Sequence, residues 1–383
     1  MTSVAITVDV FRWARERAGI SDERLAKSVN TKPEKIRAWE SGHEYPNFRQ
    51  AQKLASALRV PLGYLFLSQP PEITVPIADF RTLPGTEKAM LSLNLQDVLD
   101  DALRKRDWYT EWRKKEGLSP FEFIGKFSAQ SEQVQIIQDM RQVLDVPPEF
   151  TAHISTWSEH LRKFVQKVES AGILVLQSGI VGNNTHRKLS VQDFRGFALA
   201  NEFAPLIFIN AQDATSARIF TLTHELAHLW TGTSGISNPE ITPYGSETPQ
   251  IEQVCNQIAA EFLVSRQTFS QRWERSQDAF DNAQALARYF RVSAQVILRR
   301  GYDLGIISIE EFSQAFQEVL KASKPPTTGG GGGFYNSLFS RNSHRFTREL
   351  ISAVHIGYLS YLDAARLLNT HPRQLVKAME KIG

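Results

Sequence analysis

Cysteine is nearly absent: Cys255 is the only one in 383 residues. A lone cysteine excludes an internal disulfide and a cysteine-rich zinc site, and it is compatible with a reducing compartment. Long apolar runs are missing too. The most apolar stretches, Gly172–Leu176 and Pro205–Ile209, fall far short of the roughly 20 residues that a membrane-spanning helix needs. Met1 to Asp9 has no basic segment followed by an apolar run, so no secretory leader is expected. Neither sign of charge dominates, with 44 Lys and Arg against 41 Asp and Glu and a net charge of +3. Any nucleic-acid contact must therefore come from a local patch. No repeat at periods of roughly 20–50 residues is apparent. These absences read as a cytoplasmic protein without a membrane partner.

What is present is ordinary globular composition, 42% hydrophobic and 22% charged, in a chain long enough for two or three folded units. Residues 1–68 read as short helices joined by tight turns. Ser21 caps one helix, with Asp22 and Glu23 in its first turn and Leu25, Ala26 and Val29 as its apolar stripe. Thr31 and Glu34 form a capping-box pair that opens Lys32–Glu40, and Gly42 stops it. Ala51, Leu54, Ala55 and Leu58 mark a further buried face. Residues 69–150 read as a helical connector with helices over 91–115 and 131–144. Residues 151–322 read as an α+β domain: a helix over 155–170, strands at 173–176, 194–199 and 206–209, and helices from about Ala217 and Ile251. Residues 323–333, SKPPTTGGGGG, read as a flexible linker. A small helical module, 334–383, follows it. Leu350, Ile351, Val354 and Leu359 mark one of its helices, and Ala364, Ala365, Leu367 and Leu368 another.

The most informative segment is Thr221-Leu-Thr-His-Glu-Leu-Ala-His-Leu-Trp230. Residues four apart on a helix share a face, so His224 and His228 can place two imidazole nitrogens on one ion. That pairing suits Zn²⁺. Glu225 lies about 100° round the helix from His224, off the ligand position but close enough to act as a base. A hydrolytic zinc site needs a third protein ligand, and Glu240, Glu247, Glu252 and Glu261 follow downstream. Glu252 opens a strong helical pattern through Ile251, Val254, Cys255, Ile258, Ala259, Phe262 and Leu263. Glu240 and Glu247 fall in a Gly-, Pro- and Ser-rich loop, a poorer platform. Asn256, one turn beyond Glu252, could orient it.

Phe194-Arg-Gly-Phe197, Pro205-Leu-Ile-Phe-Ile-Asn210, Arg218 through His228, and Ile251 through Leu263 occur in the order that resembles the ImmA/IrrE metallopeptidases, over about residues 150–270. Departures are Cys255 for an alanine, Ile258 for a phenylalanine, and Val264-Ser265 for Met-Pro. The resemblance implies a zincin-like fold, His224, His228 and Glu252 as zinc ligands, Glu225 as general base, and a repressor-like regulatory protein as substrate. Tyr244 and Arg218 are candidates for stabilising the transition state.

Residues 10–67 resemble the lambda-repressor-like, or XRE, helix-turn-helix family. The resemblance is carried by Leu25-Ala26, Ile36, Trp39-Glu40-Ser-Gly42, Pro46, Leu54-Ala55, Leu58 and Pro61 through Phe66. It implies DNA as a partner of residues 1–68, with Lys32, Lys35 and Arg37 facing phosphates or bases. Residues 1–68 hold eleven Lys and Arg against seven Asp and Glu. The C-terminal module resembles the tail of fused regulators of this kind. The expectation is thus a multidomain chain: an all-α helix-turn-helix domain, an α+β zincin-like peptidase domain and a small helical module. A homodimer is compatible with it. The rival reading is a non-catalytic DNA-binding regulator or antitoxin whose peptidase-like domain serves as sensor or scaffold.

Overall fold

The computed structural model describes residues 3–71, 77–79, 91–152, 154–239, 249–322 and 333–382. The chain divides into two compact units, residues 1–76 with 89–93, and residues 77–88 with 94–383.

The first unit is helical: α1 (Val8–Ala18), α2 (Asp22–Val29), α3 (Pro33–Glu40), α4 (Phe48–Leu58) and a short 3₁₀ segment, Leu62–Phe66. Phe11, Leu25, Ala26, Val29, Ile36, Trp39 and Leu54 form its core. Ser21 caps α2 as expected, accepting from the Arg24 N–H, and Asn30 closes it in the left-handed conformation at φ 63°. The expected Thr31–Glu34 capping box does not form. The Thr31 N–H ends α2 by donating to the Ala26 carbonyl at 2.9 Å. Pro33, with its fixed φ, takes the first helical position, so Lys32 becomes the N-cap without a side-chain bond.

The second unit contains β1 (Ala78–Asp79), α5 (Leu93–Lys115, from Asn94 on), α6 (Gln133–Leu144), α7 (Trp157–Ser170), β2 (Leu174–Ser178), β3 (Ile180–Val181), β4 (Asn184–Lys188), β5 (Gly196–Leu199), β6 (Leu206–Asn210), α8 (Thr215–Trp230), β7 (Gly235–Ser237) and α9 (Gln250–Leu263). It continues through α10 (Arg266–Arg272), α11 (Ala279–Phe290), α12 (Ala294–Asp303), α13 (Ile309–Ala322), α14 (Phe334–Asn342), α15 (His344–His355), α16 (Tyr361–Leu367) and α17 (Pro372–Ile382). Five strands form one sheet in the order β1-β7-β5-β6-β2, while β3 and β4 make a separate hairpin. β2 runs parallel to β6, with Leu174 opposite Leu206. β5 is antiparallel to both its neighbours, with Phe197 opposite Phe208 on one side and Ile236 on the other.

α8 packs on β5 and β6 and is flanked by α7 and α9. Every residue from Ile219 to Trp230 is buried, so this helix, apolar on most sides apart from Thr221, Thr223, His224, Glu225 and His228, lies inside the domain. α6 belongs to the same core: Ile136, Ile137, Met140 and Leu144 pack with Leu226, Ile258 and Phe262. A second core, with Phe269, Leu286, Phe290, Ile297 and Phe312, joins α10 to α13. The C-terminal helices dock on α5 and α7. Arg345 Nε donates to Tyr109 Oη at 2.9 Å, Ser343 Oγ donates to Glu169 Oε1 at 2.6 Å, and Trp108 meets Phe346 edge to face at 5.5 Å. Leu359 lies beyond α15, which ends at His355 ahead of Gly357 at φ 75°. Of the stretch 323–333, only Gly333 is among the described residues. No helix among the described residues is long and apolar enough to cross a membrane.

Candidate metal centre

The site forms where α8 and α9 cross. The apolar faces of α8 bind it to the sheet and to α7, which fixes His224 and His228 one turn apart at the centre of the domain. Ile258 and Phe262 seal α9 into the same core and thereby bring in Glu252 from the first turn of α9. Glu252 Oε2 lies 3.2 Å from His224 Nε2, and Oε1 lies 2.9 Å from His228 Nε2. The two Nε2 atoms are 3.0 Å apart. The ligand atoms of these three buried residues all lie within 4.8 Å of one another. Three convergent donors of the two-histidine, one-carboxylate kind are the set that suits a hydrolytic zinc ion. Glu225, fully buried beside them, makes no hydrogen bond of normal geometry on either carboxylate oxygen among the described residues, and the Ser237 hydroxyl gives it only a weak polar contact. A buried carboxylate so poorly partnered is costly by itself, and a cation held next to it offsets that cost. The donor set and this carboxylate therefore both fit a zinc ion.

From the protein's own groups alone, burial and the neighbouring charges shift the cluster's side chains in different directions. Burial raises the Glu225 carboxyl well above its ordinary value, and the negative charge of Glu252 pushes it further. Burial also pushes Glu252 upward, but the charges and hydrogen bonds of His224 and His228 outweigh it and hold this carboxyl far below its usual range. Burial lowers His228 against the pull of Glu252, which favours the neutral imidazole that binds metals.

The groups that orient the ligands are not those the sequence suggested. His228 Nδ1 sits 2.8 Å from Thr233 Oγ1, which itself donates to the His228 carbonyl. A ring protonated on Nδ1 thus donates to Thr233 and leaves Nε2 to face the cluster. Ser237 Oγ, at the end of β7, lies 3.4 Å from His228 Nε2 and donates to Glu252 Oε1 at 3.5 Å. No hydrogen bond joins Asn256 to Glu252 among the described residues, and the Asn256 Oδ1 is buried without a partner there. Both oxygens of Glu252 are instead taken up by the imidazoles and Ser237. Gly196 on β5 also escaped the sequence reading, and a Cβ there would lie 3.0 Å from Glu225 Oε1.

Among the other candidates, Glu261 forms an ion pair with Arg300 and accepts from the Arg266 N–H, away from the cluster. Arg218 donates to Thr215 Oγ1 on the first turn of its own helix. Glu240, Glu247 and Tyr244 lie outside the described residues. In the first unit, Lys32, Lys35 and Arg37 are all exposed on or beside α3. Lys35 pairs with Glu44 at 2.8 Å and Arg37 with Asp22 at 3.1 Å.

Comparison with known families agrees with this architecture. Residues 11–65 match the family described as Helix-turn-helix. Residues 168–301 match the peptidase family described as IrrE N-terminal-like domain, and residues 342–381 match a domain of unknown function. No curated protein matches the chain. The chain joins an N-terminal helix-turn-helix domain of the XRE type to an IrrE-like, peptidase-type domain, the fusion that the sequence motifs resemble. The first match supports DNA binding, and the second a metal-dependent peptidase-like domain.

Proposed function

We propose that this fusion is a regulator that reads duplex DNA through residues 1–68 and hydrolyses a peptide bond in a second regulatory protein. His224, His228 and Glu252 would hold a zinc ion, with Glu225 as general base. The observation that carries the reading is Glu225: a buried carboxylate with no hydrogen bond of normal geometry on either oxygen among the described residues, set against a three-donor cluster. A site that only held a metal for structure would have no use for it. Zinc, when bound, supplies Lewis-acid polarisation of a carbonyl and lowers the pKa of water. Glu225 takes the proton from the attacking water as its oxygen adds to the scissile carbonyl, and returns a proton to the leaving amine as the C–N bond breaks. Thr233 and Ser237 hold the imidazole and carboxylate ligands in orientation, and the buried setting strengthens each of these interactions.

On the DNA side, the pairs Lys35–Glu44 and Arg37–Asp22 are exposed on their basic members. Pairs of that kind contribute only about 0–1 kcal/mol, so phosphates can displace the carboxylates. A repressor-like protein is the substrate class that fits, since a DNA-bound peptidase meets other DNA-bound regulators.

The test is Glu225→Gln, which keeps size and ligands but removes the proton acceptor. The partner is sought as a helix-turn-helix repressor whose intact form disappears when the chain is expressed. Its cleavage should fall by roughly two orders of magnitude or more, with folding unchanged. If the variant reproduces every cellular effect of the wild type, proteolysis is not the function and the non-catalytic regulator reading replaces it.

A further inference from the structure

The structure assigns a second DNA-reading unit to the C-terminal module: α16 and α17 form a helix-turn-helix built to the template of α2 and α3, and α17 takes duplex DNA. Ser21 accepts from the N–H three residues on, and so does Ser360. Asn30 turns the chain at φ 63° and Asn369 at φ 50°. The next N–H, Thr31 in one and Thr370 in the other, donates back to Ala26 or Ala365, at 2.9 Å in both. Pro33 and Pro372 then open the second helix. The buried positions also correspond, Leu25, Ala26, Val29, Ile36 and Trp39 against Ala364, Ala365, Leu368, Leu375 and Ala378.

The turn alone does not make a DNA reader, because α11 and α12 share it. There Arg291 turns at φ 55°, and the Val292 N–H returns to Ala287. Yet α12 is closed on most sides: Val296, Ile297, Leu298 and Arg300 are buried, and Arg300 donates to the Val264 carbonyl. On α17, by contrast, the outward positions Arg373, Val376 and Lys377 are exposed. These are the positions at which α3 presents Glu34, Arg37 and Ala38. A recognition helix meets base edges with such residues near its N-terminus, and an apolar Val376 suits a thymine methyl. Neither Arg373 nor Lys377 has an acidic partner among the described residues, unlike Lys35 and Arg37. The first turn of α16, the helix before α17, carries Tyr361, Leu362 and Asp363 where α2 has Asp22, Glu23 and Arg24, so the net charge of that edge is the same in both units. Residues 334–383 hold seven Lys and Arg against three Asp and Glu, a basic excess concentrated in fifty positions of an almost balanced chain.

The experiment uses the full chain with labelled random-sequence duplex DNA at several salt concentrations. Lys35→Glu with Arg37→Glu disables the N-terminal unit, and this chain should still bind DNA with an affinity that falls as salt rises. Adding Arg373→Glu with Lys377→Glu should lower that affinity at least tenfold and flatten the slope of log K against log salt by about 2. Both pairs of positions are exposed, and thermal melting checks that each variant folds. A photo-cross-linking residue in place of Val376 should capture DNA. The proposal is overturned if the N-terminal variant binds no DNA at low salt, if the C-terminal substitutions leave affinity and slope unchanged, or if the cross-linker captures only protein.

Discussion

A methyl group at position 196 would stand 2.7 Å from Thr221 Cγ2, 2.9 Å from the Phe208 carbonyl and 3.0 Å from Glu225 Oε1. The carbonyl belongs to the sheet and cannot retreat, so the Glu225 carboxylate sits where it does because β5 carries no side chain at Gly196. Gly196→Ala should therefore lower stability by about 1–3 kcal/mol, the usual range for overpacking. It should also reduce cleavage by displacing Glu225; thermal unfolding and the cleavage assay read the two effects. A variant as stable as the wild type would show that Glu225 is not confined by the sheet. His224, Glu225 and His228 were legible in the sequence because their relation is local, set by one turn of one helix. Thr233 and Ser237 were not, because their contacts depend on the route by which the chain returns to the sheet after α8. Asn256 misled for a related reason: spacing of four placed it near Glu252 along α9, but spacing does not decide which neighbour a carboxylate faces.

Between elements, the junction of α7 and α15 turns on one carboxyl. Glu169 is buried, which raises it to about 7 although Ser343 Oγ and the N–H groups of the C-terminal segment donate to it. Between its unfolded value near 4.5 and about 7, the folded chain binds more protons at this group than the unfolded chain. Stability must then fall as pH rises through that window and level off above it, for a total of roughly 3 kcal/mol. Hydrogen-exchange protection of α15 should weaken from pH 5 to 7.5, and Glu169→Gln should remove this dependence. Protection that rises with pH in the same window would contradict the assignment. Helices with side-chain caps and apolar stripes, such as α2, α4 and α7, could be read from the sequence. The strands β1 and β7, two and three residues long, carry too little alternation to be seen. The likeness of α16–α17 to α2–α3, two helix pairs at opposite ends of the chain, also stayed hidden. What recurs is a cap, a left-handed asparagine and a proline, while most side chains between them differ.

For the whole molecule, the order of domains was legible from composition and motif, but their packing was not. Residues read as a connector supply Ile136, Ile137 and Met140 to the core around the His224–His228–Glu252 cluster, and the C-terminal helices lean on α5 and α7. Both depend on contacts between residues distant in sequence, such as Arg345 with Tyr109, which no local pattern announces. Three side chains from α8 and α9 are proposed to form one metal centre, and metal analysis of the purified full chain tests this most directly. About one zinc per chain is expected. It should be retained in Glu225→Gln, lost in His224→Ala or His228→Ala, and weakened in Glu252→Ala. A wild-type chain that takes up no zinc from excess, or a Glu252→Ala chain that holds zinc as tightly as the wild type, would contradict it.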